Sequence, residues 1–182
     1  MQITIYLTVI IKKRGNDMAE LRDLYDINSV KTGKTYRKGE QIPNGYYPMV
    51  VMVVIRNSKG EFLMQKRVES KGGDWGVTGG HPKSGETPLE GIITEVREEL
   101  GLDFSNEKFT EYDSGCDGND CYKMYFVNKD VDLKDIRIQE DELSEVKWFS
   151  MDELKHMVAI KELNENQISC FVKVCNFLEQ NK

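Results

Sequence analysis

Histidine, tryptophan, proline and cysteine are all scarce in this 182-residue chain, with two, two, four and four copies. Neither His81 nor His156 adds a convincing metal ligand. The cysteines, at 116, 121, 170 and 175, form two pairs with four residues inside each, wider than a structural zinc site wants. The second pair is expected inside a helix, where i and i+5 do not share a face. Free thiols in a reducing, cytoplasmic compartment are therefore expected at all four. An excess of positive charge is missing too: 25 Lys and Arg stand against 31 Asp and Glu, a formal charge of −6. That argues against a groove for a nucleic-acid polymer, though not against a single nucleotide held through a metal. The apolar start, residues 1–11, is too short to span a bilayer, and Lys12, Lys13 and Arg14 follow it rather than precede it as a signal peptide requires. No membrane segment is read. The preferred reading makes Met18 the natural start and residues 1–17 an extra leader, translated from a purine-rich ribosome-binding stretch.

What is present is one ordinary soluble domain, 18–182, with 39% hydrophobic and 31% charged residues. Its most informative segment is a loop that turns into an acidic helix at residues 80–102. Thr87 reads as N-cap, Pro88 as the first helical residue, Glu90 as the other half of a capping box, and Gly101 as the terminator. Leu89, Ile92, Ile93, Val96 and Leu100 recur at helical spacing as an apolar stripe. Glu95 and Glu99 fall on one flank of it, Glu98 lies behind, and Gly91 between them leaves room for something to approach. Carboxylates this close repel one another unless a cation sits among them, although an acidic helix alone also reads as a solvated surface. Gly79, Gly80 and Gly85 bracket the turn before it, where backbone N–H groups can come close to anionic oxygens. Mg²⁺, or Mn²⁺, takes oxygen ligands and shares them with substrate phosphates, so metal-assisted attack of water on a phosphoryl group is the reaction suggested.

Around this centre the chain alternates strands and helices. Leu24 to Thr35 reads as a hairpin with turn residues Asn28, Ser29 and Gly33, and Met49–Arg56 as a buried strand turning at 57–60 into 61–67 to make a second hairpin. Short strands follow at 75–78, 108–112, 122–127 and 146–149, with a loop at 115–120. Ser150 caps a helix over 151–158, and a last helix at 165–178 presents Ile168, Phe171, Val172, Cys175 and Leu178 on one face. The order fits a mixed sheet between helices.

The segment resembles the Nudix box: Gly80, Glu86, Glu95, Val96, Glu98, Glu99, Gly101 and Leu102 all fall in register, and Thr94 stands where the family has arginine. The likeness implies an α/β/α sandwich with a mixed sheet and a Mg²⁺-dependent hydrolase cleaving a phosphoanhydride bond in a nucleoside diphosphate linked to another moiety, or a similar small diphosphate. It implies Glu95, Glu98 and Glu99 as metal ligands, Glu98 or Glu99 as helpers in activating water, and Glu86 as their support. The family's arginine is expected to orient these glutamates; Lys83 or Arg97 are the charges that could replace it. Nudix enzymes often take a general base from outside the box, and Glu142 in Gln139-Glu140-Asp141-Glu142 is the choice here. Gly79, Gly80, Lys66 and Arg67 are the substrate-binding candidates; on a strand only one of the last two can face inward. Tyr46, Tyr47 and Trp75 are aromatics that could stack on a base or belong to the core. Leu24-Tyr25-Asp26, the run at 32–40, 60–67 and Trp148-Phe149-Ser150 further resemble the isopentenyl-diphosphate isomerase-like branch, but 75–80 lacks the cysteine those isomerases use, which disfavours isomerisation. A catalytically weak domain that senses a phosphorylated ligand is the other alternative. The partner implied is a small diphosphate, with a homodimer left open.

Overall fold

A computed structural model of the chain describes residues 20–181. The proposed leader and Met18 lie outside these residues. Nine strands and three helices are found among them: β1 (Leu21–Tyr25), β2 (Lys31–Arg37), β3 (Met49–Arg56), β4 (Phe62–Arg67), β5 (Trp75–Gly76), β6 (Thr78–Gly80), α1 (Pro88–Leu100), β7 (Thr110–Cys116), β8 (Cys121–Asn128), β9 (Leu143–Phe149), α2 (Met151–Ala159) and α3 (Glu165–Gln180).

Strand β3 is the axis of a seven-stranded mixed sheet, in the order β5-β4-β3-β8-β7 with β6 beside β3 and β9 beside β4. It runs parallel to β8 along its whole length, Met49 opposite Cys121 to Arg56 opposite Asn128. The alternation of β3 sends Val51, Val53 and Ile55 to one face, against Ile92, Val96 and Leu100 of α1. Val54 on the other face joins Phe62, Met64 and Met124 against Leu154 and Met157 of α2 and Cys170 and Val174 of α3. The architecture is thus α/β/α, with both faces of the sheet covered by helices, which is why β3 carries almost no polar residue.

The expected β3–β4 hairpin holds at one register pair only, Arg56 opposite Phe62. Beyond it β4 leaves β3 to pair with β5 and β9, and β6 takes the vacated edge of β3 through Val51–Gly80, Met52–Gly79 and Val53–Thr78. The sheet opens between β4 and β6 at its centre, and this opening faces the end of α1.

The first hairpin, β1 with β2, is a separate two-stranded sheet docked on the loop before α1. Its turn is nucleated by Asp26, whose carboxylate accepts from the N–H groups of Asn28 and Val30, while Gly33 lies within β2 rather than in a turn. Asp23 holds the dock by accepting from Ser84 Oγ at 2.7 Å, Gly85 N–H at 3.1 Å and Lys31 Nζ at 2.7 Å. Burial alone would raise the Asp23 pKa; these donors carry it below the usual carboxylate range.

Two expectations need correction. Cys116 and Cys121 are not free thiols: the β7–β8 register places them opposite one another at the end of the hairpin, where they form a disulfide, and only Cys170 and Cys175 remain free. On α3 the expected Ile168, Phe171 and Leu178 do pack against the core, but the face is centred on Cys170 and Val174, and Val172 is turned outward, 52% exposed. Gln167 on the same helix accepts from Val77 N–H at 3.0 Å and so ties α3 to the segment between β5 and β6. No helix among the described residues is long and apolar enough to cross a membrane.

Candidate active site

Helix α1 starts and ends as its sequence dictates. The Thr87 side chain accepts from Glu90 N–H, the Glu90 carboxylate accepts from Thr87 N–H at 2.8 Å, and Gly101 closes the helix at φ 69°. Burial of Ile92, Val96 and Leu100 fixes its rotation. Leu89, expected in the same stripe, is 40% exposed. Gly91 is buried, and what approaches it is protein: a Cβ there would lie 2.6 Å from Pro82 Cγ. Glu95, Glu98 and Glu99 then border a cleft of about 790 Å³ that also takes in Gly79, Gly80 and Arg67.

The carboxylates feel one another. Burial, then the charges of Glu99 and Glu98, push the Glu95 pKa up to about 7. Glu99 is likewise raised to about 7, chiefly by burial, with the charge of Glu142 adding to the effect and the donors Gln65 and Gly79 N–H opposing it. Glu98 is more exposed and pairs with Lys83. Lys83 would be lowered by burial, but Glu98, Glu20 and Glu86 hold its pKa above the usual lysine value. Where the family's arginine would stand, Thr94 Oγ1 donates to Glu86 Oε1 at 2.8 Å, and the Lys83 N–H donates to the other oxygen of Glu86 at 2.8 Å. Of the two replacement charges considered, Lys83 therefore touches the cluster, while Arg97 pairs with Asp103 away from it.

The structure gathers most of the remaining candidates but not all. Arg67 borders the cleft and acts electrostatically on Glu99; Lys66, one step along β4, does not border it. Gly79 and Gly80 both border it, yet the Gly79 N–H already serves Glu99. The N–H groups at 83–86 are also spent inside the protein, on Glu86, Leu21, Asp23 and Lys83, so this loop is not an open anion cradle. Gly80 has another reason: a Cβ there would fall 2.1 Å from Glu95 Oε1. Glu142 borders the cleft and pairs with Lys71 and, at 3.9 Å, Arg67. Tyr47 packs against the core, Tyr46 lies under the Lys34 ammonium, and Trp75 is 8% exposed and set edge-on to Phe149. Neither tyrosine borders the cleft. No thiol does either, so the cysteine missing from 75–80 is not replaced from elsewhere in the described chain.

Sequence reasoning missed Gln65, Thr78 and the position of His81. Gln65 Nε2 donates to Glu99 Oε2 at 2.7 Å, and Thr78 Oγ1 donates to Gln65 Oε1 at 2.8 Å. Gln65, directly after the apolar run Phe62-Leu63-Met64, was the available signal; the short β6, Thr-Gly-Gly, carried none. His81 also borders the cleft; burial, then the charges of Arg22 and Lys38, lower its pKa to about 4, so the imidazole is neutral near pH 7.

Oxygen donors fit a hard divalent cation. Among the described residues no three His, Cys, Asp or Glu side chains surround a metal-sized point as they stand; Lys83 pairs with Glu98 and Gln65 donates to Glu99. The donor set suits a cation shared with substrate oxygens rather than one caged by protein alone, and the raised pKa values of Glu95 and Glu99 mark the charge such a cation would balance.

Comparison with known proteins agrees with this geometry. Residues 46–170 match the NUDIX domain. A Nudix hydrolase of Listeria monocytogenes, itself described as uncharacterised, is 35% identical over 73% of this chain and 81% of its own. A Deinococcus radiodurans structure, DR0079, superposes with a TM-score of 0.70 at 22% identity, covering 86% of this chain and 99% of that one. The NUDIX domain of Shewanella oneidensis NrtR, solved with ADP ribose, gives 0.60 at 15% identity over 79% and 94%. Capped acidic helix, mixed sheet and sequence match together place this chain in the Nudix family of hydrolases.

Proposed function

We propose that the protein hydrolyses a phosphoanhydride bond in a nucleoside diphosphate linked to another moiety, or in a similar small diphosphate, with Mg²⁺ or Mn²⁺ as cofactor. The observation that carries this reading is the pair Glu95 and Glu99: two part-buried carboxylates in a cleft, each raised to about 7 by burial, with neighbouring carboxylate charge adding to it. Glu95, Glu98 and Glu99 would hold the cation, which when bound neutralises phosphate charge and favours ionisation of an attacking water. Arg67 and the Gly80 backbone border the place where the diphosphate would lie. Glu142 is our choice to take the proton from water; since it now pairs with Lys71 and Arg67, that duty requires those pairs to open. Small diphosphates are the partners, and a polymer groove is not part of the reading. A cytoplasmic location goes with it, against which the Cys116–Cys121 bridge weighs.

The experiment is hydrolysis of a panel of nucleoside and prenyl diphosphates, ADP ribose among them, followed by chromatography of the phosphorylated products, with Mg²⁺ and with chelator. Mg²⁺-dependent turnover that falls in Glu98→Gln supports the reading. Binding without turnover favours a ligand sensor instead, a reading that the Glu98–Lys83 pair and Thr94 motivate.

A further inference from the structure

We infer that Gln65 is a positioning residue for Glu99: together with Thr78 it fixes the carboxylate in the orientation that meets the cation. This rests on the metal-dependent reading above. Asn57, Gln65 and Thr78 are the buried polar side chains among the described residues, and two of the three stand in this one relay. Gln65 is 5% and Thr78 4% exposed, so both rely on protein partners for their hydrogen bonds.

Chemistry fixes the direction of the relay. An amide presents a donor at nitrogen and an acceptor at oxygen. With Glu99 Oε2 at 2.7 Å from the amide, only the nitrogen can face an ionised carboxylate. The amide oxygen must then point at Thr78, whose hydroxyl donates to it at 2.8 Å. The relay joins β4, β6 and α1 at the place where the sheet opens. Backbone pairing ties β6 to β3 and ties β4 to β3 only at Arg56–Phe62, with β5 and β9 beyond, so no β4–β6 ladder spans that gap.

A purely structural need would be met as well by an apolar pair of the same shape, since buried hydrogen bonds contribute little net stability over such a replacement. What the polar pair adds is a committed orientation of Glu99. Groups that hold a metal ligand from behind typically change metal affinity by roughly 10–100-fold when removed.

Gln65→Met keeps the length of the side chain and removes the donor. Mn²⁺ affinity, measured by titration calorimetry at pH 8 where the carboxylates are ionised, should fall at least about tenfold in Gln65→Met. Thr78→Val should fall in the same direction by less, and Thr78→Ser, which keeps the hydroxyl, should match wild type. The metal-free melting temperatures of Thr78→Val and Thr78→Ser should agree within a few degrees, so that loss of affinity is not loss of fold. Wild-type binding that Gln65→Met retains within twofold overturns the positioning role alone. Thr78→Val equal to Thr78→Ser overturns the relay through Thr78. Absence of Mn²⁺ binding by wild type, both alone and with a non-hydrolysable ADP ribose analogue present, overturns the metal reading, and this inference with it.

Discussion

Neutralising Glu95 should stabilise the metal-free protein while removing its activity. Glu95 has no hydrogen-bond donor to lose among the described residues, and its pKa rises from 4.5 to about 7 through burial and the charges of Glu99 and Glu98. A carboxylate with a raised native pKa binds protons more tightly folded than unfolded, so it costs nothing below pH 4.5 and destabilises progressively up to about pH 7. At about 1.4 kcal/mol per unit, a shift of this size amounts to roughly 3 kcal/mol at pH 8. Coupling to Glu99 makes that an upper bound for one site. Glu95→Gln should therefore gain about 2–3 kcal/mol at pH 8 and almost nothing at pH 4.5, equivalent to roughly 5–10 °C in melting temperature. Comparison with wild type is essential, because His81 works in the opposite sense: its pKa, lowered to about 4, gives stability that is lost as pH falls from 6.5 toward 4. Urea unfolding of both proteins in chelator at the two pH values measures the difference. A Glu95→Gln protein that is no more stable at pH 8 would refute the claim that Glu95 is held charged at a cost, and with it the argument that a cation is needed.

Other substitutions read the same geometry. Gly80→Ala places a Cβ 2.1 Å from Glu95 Oε1 and should weaken Mg²⁺-dependent turnover by 10-fold or more, on the order seen when a ligand's support is disturbed, with the fold retained by circular dichroism. Gly91→Ala meets Pro82 at 2.6 Å and should cost about 1–3 kcal/mol in denaturant unfolding while leaving metal affinity unchanged. Thiol titration of the denatured protein should find two reactive cysteines without reductant and all four after reduction; four from the outset would remove the Cys116–Cys121 bridge.

Local chemistry made α1 legible. Thr87, Pro88, Glu90 and Gly101 occupy the roles their residue types predict, because capping depends on neighbours within one helical turn. The spacing of Glu95, Glu98 and Glu99 survives for the same reason. What stayed hidden depends on non-local register. The contact from Gln65 to Glu99 exists only because β4 departs from β3 after one pair, and nothing within the segment 62–67 announces that departure. Cys116 meets Cys121 because β7 and β8 pair in one particular register, which composition alone cannot specify. The glycine loop looked like an anion cradle until the first hairpin docked on it and Asp23 took its donors. On α3 Ile168, Phe171 and Leu178 fall where the spacing puts them, while Cys170 and Val174 were missed and Val172 misplaced, since the apolar residues cover a broad arc of that helix and only packing against the sheet selects among them.

The central claim is that the α1 carboxylates hold a divalent cation needed for hydrolysis of a small diphosphate. The most direct measurement is the rate of product formation, by chromatography, from the best substrate of the panel as Mg²⁺ is titrated into metal-free wild type and Glu98→Gln. Saturable activation of wild type, and a substituted enzyme that is far slower or needs much more Mg²⁺, is the predicted result. Equal turnover by both proteins, or turnover that persists undiminished in chelator, would contradict it.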